Sequence, residues 1–155
     1  MVDEPAKATF VLVHGAWAGG WVWRGVADRL RANGHRVFTP TLTGLGERSH
    51  LLSPEVGLTT HITDIVNLIK WEELSNIVLV GHSYAGMVVS GVTDKVTDGV
   101  IGSIVFLDAA VPDDGQSMFD YLGAELPAGD IVSSAEGDTN DHQDRRTRVC
   151  TYACE

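Results

Sequence analysis

The feature that most constrains this chain is the stretch Asn76 to Met87, which reads NIVLVGHSYAGM. It contains four consecutive apolar residues, Ile77 to Val80, a run typical of a strand buried on both faces of a parallel sheet. The run ends at Gly81, and from Ala85 onward apolar and small residues continue at the density of a helix. The sequence therefore predicts a strand that turns sharply into a helix, with His82-Ser83-Tyr84 in the turn.

This turn predicts a chemical role for Ser83. A sharp strand-to-helix turn strains the backbone of its middle residue and lifts that side chain above the sheet. Gly81 and Ala85 are expected to be small because neighbouring backbone passes close to both. The start of the helix offers free N–H groups that favour negative charge. Ser83 is therefore predicted to be a nucleophile, and the alternative is an ordinary helix N-cap, a role that serine often fills.

Strand and helix patterns alternate along the rest of the chain. The predicted strands are Thr9 to Val13, His35 to Thr39, Ile77 to Val80 and Gly102 to Leu107. The predicted helices are Trp21 to Ala32, Thr60 to Leu74 and a third that begins at Ala85. Such alternation predicts an α/β fold, a three-layer sandwich around a mainly parallel sheet of about four strands.

The first predicted strand ends at His14-Gly15-Ala16. Ligands of parallel sheets bind at the carboxyl ends of strands, where the strand order reverses. If the first and third strands are neighbours there, this turn faces Ser83, and the backbone N–H groups of Ala16 and Tyr84 could form an oxyanion hole. The alternative is that Gly15-Ala16 only makes a tight turn.

Three motifs, in this order, resemble those of the α/β-hydrolase superfamily. They are FVLVHGAW from Phe10, PTLTGLGER from Pro40 and VGHSYAGM from Val80. The chain is most similar to small bacterial esterases related to plant methyl esterases and hydroxynitrile lyases. The likeness runs from Thr9 to Gln116, and its one departure is Ala85, where the motif usually has glycine.

The resemblance implies that Ser83 is the nucleophile and that Ala16 and Tyr84 supply the oxyanion hole. It implies no metal and no organic cofactor. The substrate-binding residues that it implies are His14, Gly15, Trp17 and His82, with the loop from Gly44 to His50 beside Trp17 in the pocket wall.

The family's acid and histidine follow the nucleophile in the chain. After Asp108, however, this chain is too short for a cap and two more strand–helix units. His142 is the only histidine after Ser83, and its orienting acid would be Asp108, Asp138 or Asp141. Asp108 ends the strand predicted beside the nucleophile strand, and a loop-capping carboxylate is the alternative role for it.

The other histidines have separate expected roles. His82 should point away from Ser83 on the elbow, and His35 precedes a strand at the opposite edge from the crevice. His50 and His61 lie on and after the long loop that begins at Thr41, where solvated and substrate-contacting roles are both open.

The sequence divides into three regions. Residues 1–8 are an N-terminal extension, residues 9–127 a truncated α/β-hydrolase core with the start of a cap, and residues 128–155 a disordered tail. Few large apolar residues and many charges characterise that tail. Its two cysteines, Cys150 and Cys154, imply neither a disulfide framework nor a metal cluster.

The fourth predicted strand is apolar at every position from Ile104 to Leu107. Such a strand is typical of a sheet interior, yet the chain offers no convincing fifth strand, Asp130 to Ser133 being too short and too polar. An uncovered apolar edge invites pairing with other chains. Self-association through the strand edge at residues 102–107 is therefore expected.

Charge and hydropathy limit the possible partners. The formal net charge of −10 argues against nucleic acid and against an anionic membrane surface. No apolar stretch reaches the length of a bilayer span, and the N-terminus lacks an apolar signal segment. A cytoplasmic protein that binds a small-molecule ester, with no nucleic-acid or membrane partner, is expected.

The expected function is hydrolysis of a small carboxylic ester through an acyl-enzyme on Ser83, impaired because the family acid and histidine are missing. Two alternatives share the fold: a hydroxynitrile-lyase-like lyase, and a catalytically inactive small-ligand binder. The sequence leaves open the substrate, the general base, the oligomeric state and the origin of the short length.

Overall fold

The computed structural model describes residues 7–121 and 149–151. The strands are β1 (Thr9–Val13), β2 (Arg36–Phe38), β3 (Ile77–Ser83), β4 (Ile101–Ala109) and β5 (Val149–Thr151). The α-helices are α1 (Arg24–Ala32), α2 (Leu58–Trp71), α3 (Ala85–Thr93) and α4 (Met118–Tyr121). Two 3-10 helices, Gly20–Trp23 and Gly46–Leu51, precede α1 and α2. The predicted alternation of strands and helices is confirmed.

The strands form one sheet in the order β2-β1-β3-β4-β5, and every neighbouring pair is parallel. β1 therefore lies beside β3, as the oxyanion hypothesis requires. The order reverses between these two strands, which is where a parallel sheet opens a crevice for a ligand. Both predicted turns of the site, after β1 and after β3, lie at this point.

Apolar side chains alternate between the two faces of the central strands. Val11 and Val13 point to the face covered by α2 and α3, where Ile65 and Val88 are buried with them. Leu12 points to the other face, in a cluster with Trp23, Ala27, Val37 and Val80. The predicted three-layer sandwich is confirmed, and Trp23 packs onto the sheet.

Some element boundaries differ from the predicted ones. β2 is limited to Arg36–Phe38, and the predicted first helix starts as a 3-10 turn before α1. α1 ends before Gly34, which has a φ of 84°, a conformation that glycine adopts without steric cost. The long polar loop after β2 contains the 3-10 helix Gly46–Leu51, which the sequence analysis did not predict.

β5 corrects the sequence analysis, which found no convincing fifth strand. Val149–Thr151 pairs in parallel with Ile104, Val105 and Phe106 of β4. Valine and threonine favour strands, but three residues carry too weak a local signal to be predicted. The chain itself thus covers part of the edge at residues 102–107. Most of the predicted tail, including His142, lies outside the described residues.

The crossing of β3 and α3 is tight because two glycines face backbone. A Cβ on Gly81 would lie 2.7 Å from the carbonyl oxygen of Ala85, so the predicted need for a small residue there is confirmed. A Cβ on Gly86 would collide with the carbonyl group of Ala110. This second contact, missed in the sequence, lets α3 lie directly against the end of β4.

Within the described ranges, no helix combines the length and the apolar composition that crossing a bilayer requires.

Candidate active site

Ser83 ends β3 with a φ of 54°. A non-glycine residue in this left-handed region is strained by about 1–3 kcal/mol and persists only where its surroundings enforce the conformation. Here Ser83 pairs with Ala109 of β4, and its carbonyl accepts the N–H of Ala110 at 3.0 Å. The predicted strained turn is confirmed.

The Ser83 hydroxyl is not used as a helix cap. Tyr84, not Ser83, is the N-cap residue of α3, and no side chain caps that helix. No other side chain or backbone group of the described ranges hydrogen-bonds the Ser83 hydroxyl, so the N-cap alternative is wrong. The hydroxyl is left available at the carboxyl end of the central strand.

The turn after β1 lies directly against this serine. A Cβ on Gly15 would stand 3.1 Å from the Cβ of Ser83 and 3.3 Å from the carbonyl oxygen of His82. A side chain at this position would require Ser83 or His82 to move by a few tenths of an ångström, so glycine favours this approach. The N–H groups of Ala16 and Tyr84, on the two facing turns, donate to no group in the described ranges, and their convergence on one oxygen stays a prediction.

His14 is fully buried and holds the first turn. The N–H of Leu42 donates to its Nε2 at 3.0 Å, and its Nδ1 lies 2.8 Å from the carbonyl oxygen of Gly15. Nε2 must therefore be unprotonated, and Nδ1 donates. Burial lowers the pKa of His14, which favours this neutral form. Any contact of His14 with a substrate would come from its backbone.

His61 is buried, so the solvated role left open for it is wrong, and its substrate-contacting role stays a prediction. It is only 7% exposed, with Nε2 at 2.9 Å from the carbonyl oxygen of Thr43 and Nδ1 at 2.9 Å from the hydroxyl of Tyr84. The sequence analysis missed this buried bridge. Its available signal was the spacing of His61 with Ile65 and Ile69, the other buried residues of α2.

The Thr41 hydroxyl connects the loop after β2 to the rest of the site by hydrogen bonds. Thr41 accepts the N–H of Gly20 at 2.8 Å and donates its hydroxyl to Glu47 at 2.6 Å. That hydrogen bond lowers the pKa of the Glu47 carboxyl. Arg48 donates to the carbonyl oxygen of Thr41 at 2.8 Å. The predicted pocket loop is therefore ordered by its own polar residues, while His50 is exposed.

Trp17 and His82 flank the two turns. Trp17 has a φ of 56° and an exposed fraction of 93%. A bulky residue in this conformation with its ring in solvent is unusual. The ring of His82 packs edge-to-face on Trp23, with centroids 6.3 Å apart, consistent with the expected direction away from Ser83. Substrate contacts of both residues stay predictions.

Asp108 lies at the end of β4, one residue before the partner of Ser83. Its φ is 44° and its side chain is exposed. Its carboxylate makes no hydrogen bond or ion pair within the described ranges, so the loop-capping alternative finds no partner there. Asp138, Asp141 and His142 lie outside the described residues, and the pairing of His142 with Ser83 stays a prediction.

Potential metal ligands are dispersed: across the described ranges, no three His, Cys, Asp or Glu side chains cluster to hold an ion.

A parallel sheet whose central strand ends in a strained serine, faced by a glycine turn from the neighbouring strand, defines the class of α/β hydrolases. The model of the Alpha/beta hydrolase family matches residues 10–148. The chain belongs to this family.

Several curated proteins to which the chain is similar are named as esterases. The chain is 53% identical over 120 residues to the carbendazim hydrolyzing esterase of Nocardioides sp. (strain SG-4G), covering 77% of this chain and 49% of the relative. It is 37% identical over 124 residues to methylesterase 2 of Arabidopsis thaliana, covering 73% and 43%. The chain thus spans about half the length of the curated relatives that it matches.

Solved structures show the same architecture. An extracellular α/β-hydrolase from a Paenibacillus species, described as homologous in structure and function to tobacco salicylic acid binding protein 2, matches with a TM-score of 0.68 and 38% identity. That match covers 74% of this chain and 46% of the other. Polyneuridine aldehyde esterase matches with a TM-score of 0.64 and 25% identity, over 76% and 46%.

Proposed function

We propose that this chain is a serine-nucleophile hydrolase, which cleaves a small carboxylic ester through an acyl-enzyme on Ser83. The observation that carries the proposal is the φ of 54° at Ser83, combined with the approach of Gly15 to the same residue. Backbone strain of this kind is common at functional sites. A serine hydroxyl that does not cap the following helix, and that lies beside the start of this helix, has the surroundings of a nucleophile.

The proposed reaction begins with attack of the Ser83 hydroxyl oxygen on the ester carbonyl carbon. The carbonyl oxygen becomes an oxyanion, which the N–H groups of Ala16 and Tyr84 stabilise. One such donor contributes about 3–4 kcal/mol. The alcohol then leaves, and water releases the acid from Ser83. His142 is the candidate base, which would accept the proton of the Ser83 hydroxyl and return it to the leaving alcohol, and Asp108 is the candidate acid that would orient it. We propose that both steps are slow, because neither residue lies in one of the three motifs that resemble those of the family.

The names of similar proteins guide the choice of substrate. One relative is named for hydrolysing carbendazim and others are methylesterases, so carbendazim and small methyl esters are the first substrates to test. We propose that the exposed ring of Trp17 contacts the apolar part of such a substrate. The strained backbone of Trp17 and the exposure of its ring to solvent are both unfavourable, and no contact within the described ranges explains them.

The test is covalent labelling of the full chain with a fluorophosphonate, read by intact mass and peptide mapping. We expect one adduct, on Ser83, that forms slowly and is absent in Ser83→Ala. Removing a triad histidine from a serine protease costs about 10⁶ in turnover, with about 10³–10⁴ over water remaining. Turnover of p-nitrophenyl acetate should fall in that residual range.

Ser103→Ala is the matched control, because Ser103 is an exposed serine of β4 and its loss should leave labelling unchanged. Labelling of another serine, or none on Ser83, would contradict the proposal. Fast turnover that His142→Ala abolishes would instead show a complete triad. Cleavage of a cyanohydrin without an adduct on Ser83 would support the lyase alternative.

A further inference from the structure

We propose that His61 is a positioning residue of the oxyanion hole: it bridges the Tyr84 side chain to the loop after β2 and so fixes the backbone N–H of Tyr84. The proposal rests on the proposed function, since this N–H acts in catalysis only if an oxyanion forms beside it. It adds a second structural histidine to the site.

The direction of each hydrogen bond follows from the chemistry of the partners. The carbonyl oxygen of Thr43 can only accept, so the proton of the His61 ring is on Nε2, 2.9 Å away. Nδ1 then accepts from the Tyr84 hydroxyl, also at 2.9 Å. Burial raises the pKa of Tyr84 to about 12, so this hydroxyl keeps the proton that it donates.

The other end of the bridge is rigid. Asp64 accepts both the N–H of Thr43 at 2.7 Å and its hydroxyl at 2.8 Å, and Arg48 lies 3.8 Å from the same carboxylate. Asp64 follows His61 by one turn of α2. One helix therefore holds Thr43 from both sides, and a displacement of Tyr84 would have to strain this cluster.

The same loop also holds the other predicted donor. Leu42, next to Thr43, donates its N–H to His14, which in turn donates to the carbonyl oxygen of Gly15. The peptide of Gly15 continues into the N–H of Ala16. Two buried histidines thus connect one loop segment, Leu42–Thr43, to both turns of the oxyanion hole, and together they fix the spacing of its two donors.

Loss of the bridge should displace a donor rather than remove it. Without an acceptor on His61 the half-buried Tyr84 hydroxyl loses its partner, an unfavourable state that a small shift of the Tyr84 side chain and backbone relieves. Tyr84 is the N-cap residue of α3, so a shift of its backbone also displaces its own N–H. A misplacement of about 1 Å can reduce a rate on the order of 100-fold.

The experiment compares two substitutions that separate the ends of the bridge. In His61→Gln the amide N–H replaces Nε2 and still reaches Thr43, but the acceptor for Tyr84 is lost. In His61→Asn the amide oxygen replaces Nδ1 and keeps that acceptor. The readout is the phosphonylation of Ser83, resolved into its maximal rate constant and the apparent dissociation constant of the probe.

We expect His61→Gln to lower the maximal rate constant by about tenfold, less than removal of a donor, with a dissociation constant within twofold of the parent. His61→Asn should recover most of the rate. Tyr84→Phe should match His61→Gln, and the double variant should be no slower than either single one, because both remove the same hydrogen bond.

His35→Gln is the control, since His35 accepts the N–H of Ala8 far from the site; it should change stability only. Equal rates for His61→Gln and the parent, with a lowered melting temperature alone, would overturn the proposal, and so would additive losses in the double variant. If His61→Gln fails to fold, Tyr84→Phe decides by the same criteria.

A parent chain that takes no label on Ser83 would sink the proposed function instead. The bridge is then read from the amide resonance of Tyr84 and the ring nitrogens of His61 in NMR spectra. A shifted Tyr84 amide in His61→Gln, with Nδ1 as the acceptor in the parent, supports the bridge. An unchanged amide overturns it.

Discussion

At the scale of single residues, three of the five non-glycine residues with positive φ in the described ranges lie at the carboxyl end of the sheet. Trp17, Ser83 and Asp108 are non-glycine residues with positive φ, and they follow β1, end β3 and lie near the end of β4. Each belongs to a different strand or its following turn, so no single local sequence produces the cluster. Strain at such sites is maintained by the surrounding fold and is commonly part of function.

This strain predicts a trade between stability and chemistry at Ser83. Glycine adopts a φ near 54° without a steric penalty, although its flexible unfolded state opposes part of the gain. We expect Ser83→Gly to raise the free energy of unfolding by about 1 kcal/mol, while it abolishes fluorophosphonate labelling. Thermal unfolding followed by circular dichroism measures the first effect.

Two variants isolate the cause. Ser83→Ala removes the hydroxyl but keeps the strain, and should leave the unfolding free energy within about 0.5 kcal/mol of the parent. Ser103→Gly introduces glycine into β4 at an unstrained position and should lower it by about 0.5–1 kcal/mol. If Ser83→Gly also lowers the free energy of unfolding, the backbone strain at Ser83 is too small to reduce the stability of the parent.

The strained turn at Ser83 was predictable because its signal is local: an apolar run, a small residue on each side and a helix start within a dozen positions. His61 was not, because its two partners lie 18 and 23 positions away in the sequence. Nothing near His61 distinguishes a buried bridge from a solvated side chain except its spacing with two isoleucines. Contacts of this kind depend on the assembled fold.

At the scale of elements, the docking of α3 on β4 depends on one missing side chain. Gly86 lies in the first turn of α3 against the carbonyl group of Ala110. A backbone carbonyl cannot rotate away, so an added methyl group must push the helix off the strand. Because α3 begins directly after Ser83, the position of this helix also fixes the elbow.

We therefore expect Gly86→Ala to lower the free energy of unfolding by about 2 kcal/mol, within the range of overpacking, and to slow labelling of Ser83. Gly25→Ala is the matched control in α1, where a Cβ would meet no atom within 4 Å. It should stabilise by up to about 1 kcal/mol because alanine favours helix. Denaturant unfolding measures the free energy of unfolding of both variants. If this free energy changes in the same direction in both, the packing argument is contradicted.

Element types were predictable from hydrophobic period, and their ends were less so. Asn33-Gly34 marked the end of α1 because glycine tolerates the positive φ found there. The 3-10 helix Gly46–Leu51 had no such signal, since its conformation depends on hydrogen bonds with Thr41. The Thr41 hydroxyl donates to Glu47, and Arg48 donates to the carbonyl oxygen of Thr41. β5 lacked the length needed for a local pattern.

At the scale of the whole molecule, the open question is the far edge of the sheet. β4 is buried against β3 on one side, and Val149–Thr151 pairs with it on the other. β5 covers only three residues of a nine-residue strand. Self-association through residues 102–107 therefore stays a prediction. In such an association, a second copy of the chain would compete with β5 for the edge of β4.

Cys150→Pro tests that competition. Proline lacks the N–H needed for pairing, so the variant should release the edge of β4 and increase the fraction of dimers and larger species. Size-exclusion chromatography with light scattering measures the distribution. Cys150→Val removes the same thiol but favours a strand, and should behave like the parent. Equal distributions for both variants would show that β5 does not protect the edge.

The parallel pairing of the strands also determines when, during folding, Ser83 adopts its strained conformation. β1 lies beside β3 although α1, β2 and α2 separate them in the chain. Sheets built from such distant segments assemble in about milliseconds to seconds, slowly compared with helical bundles. Ser83 is held in its left-handed conformation only once β3 has neighbours on both sides. A newly made or partly folded chain thus carries an ordinary serine, and we expect the proposed reactivity of Ser83 towards acyl donors to arise only when folding of the sheet is complete.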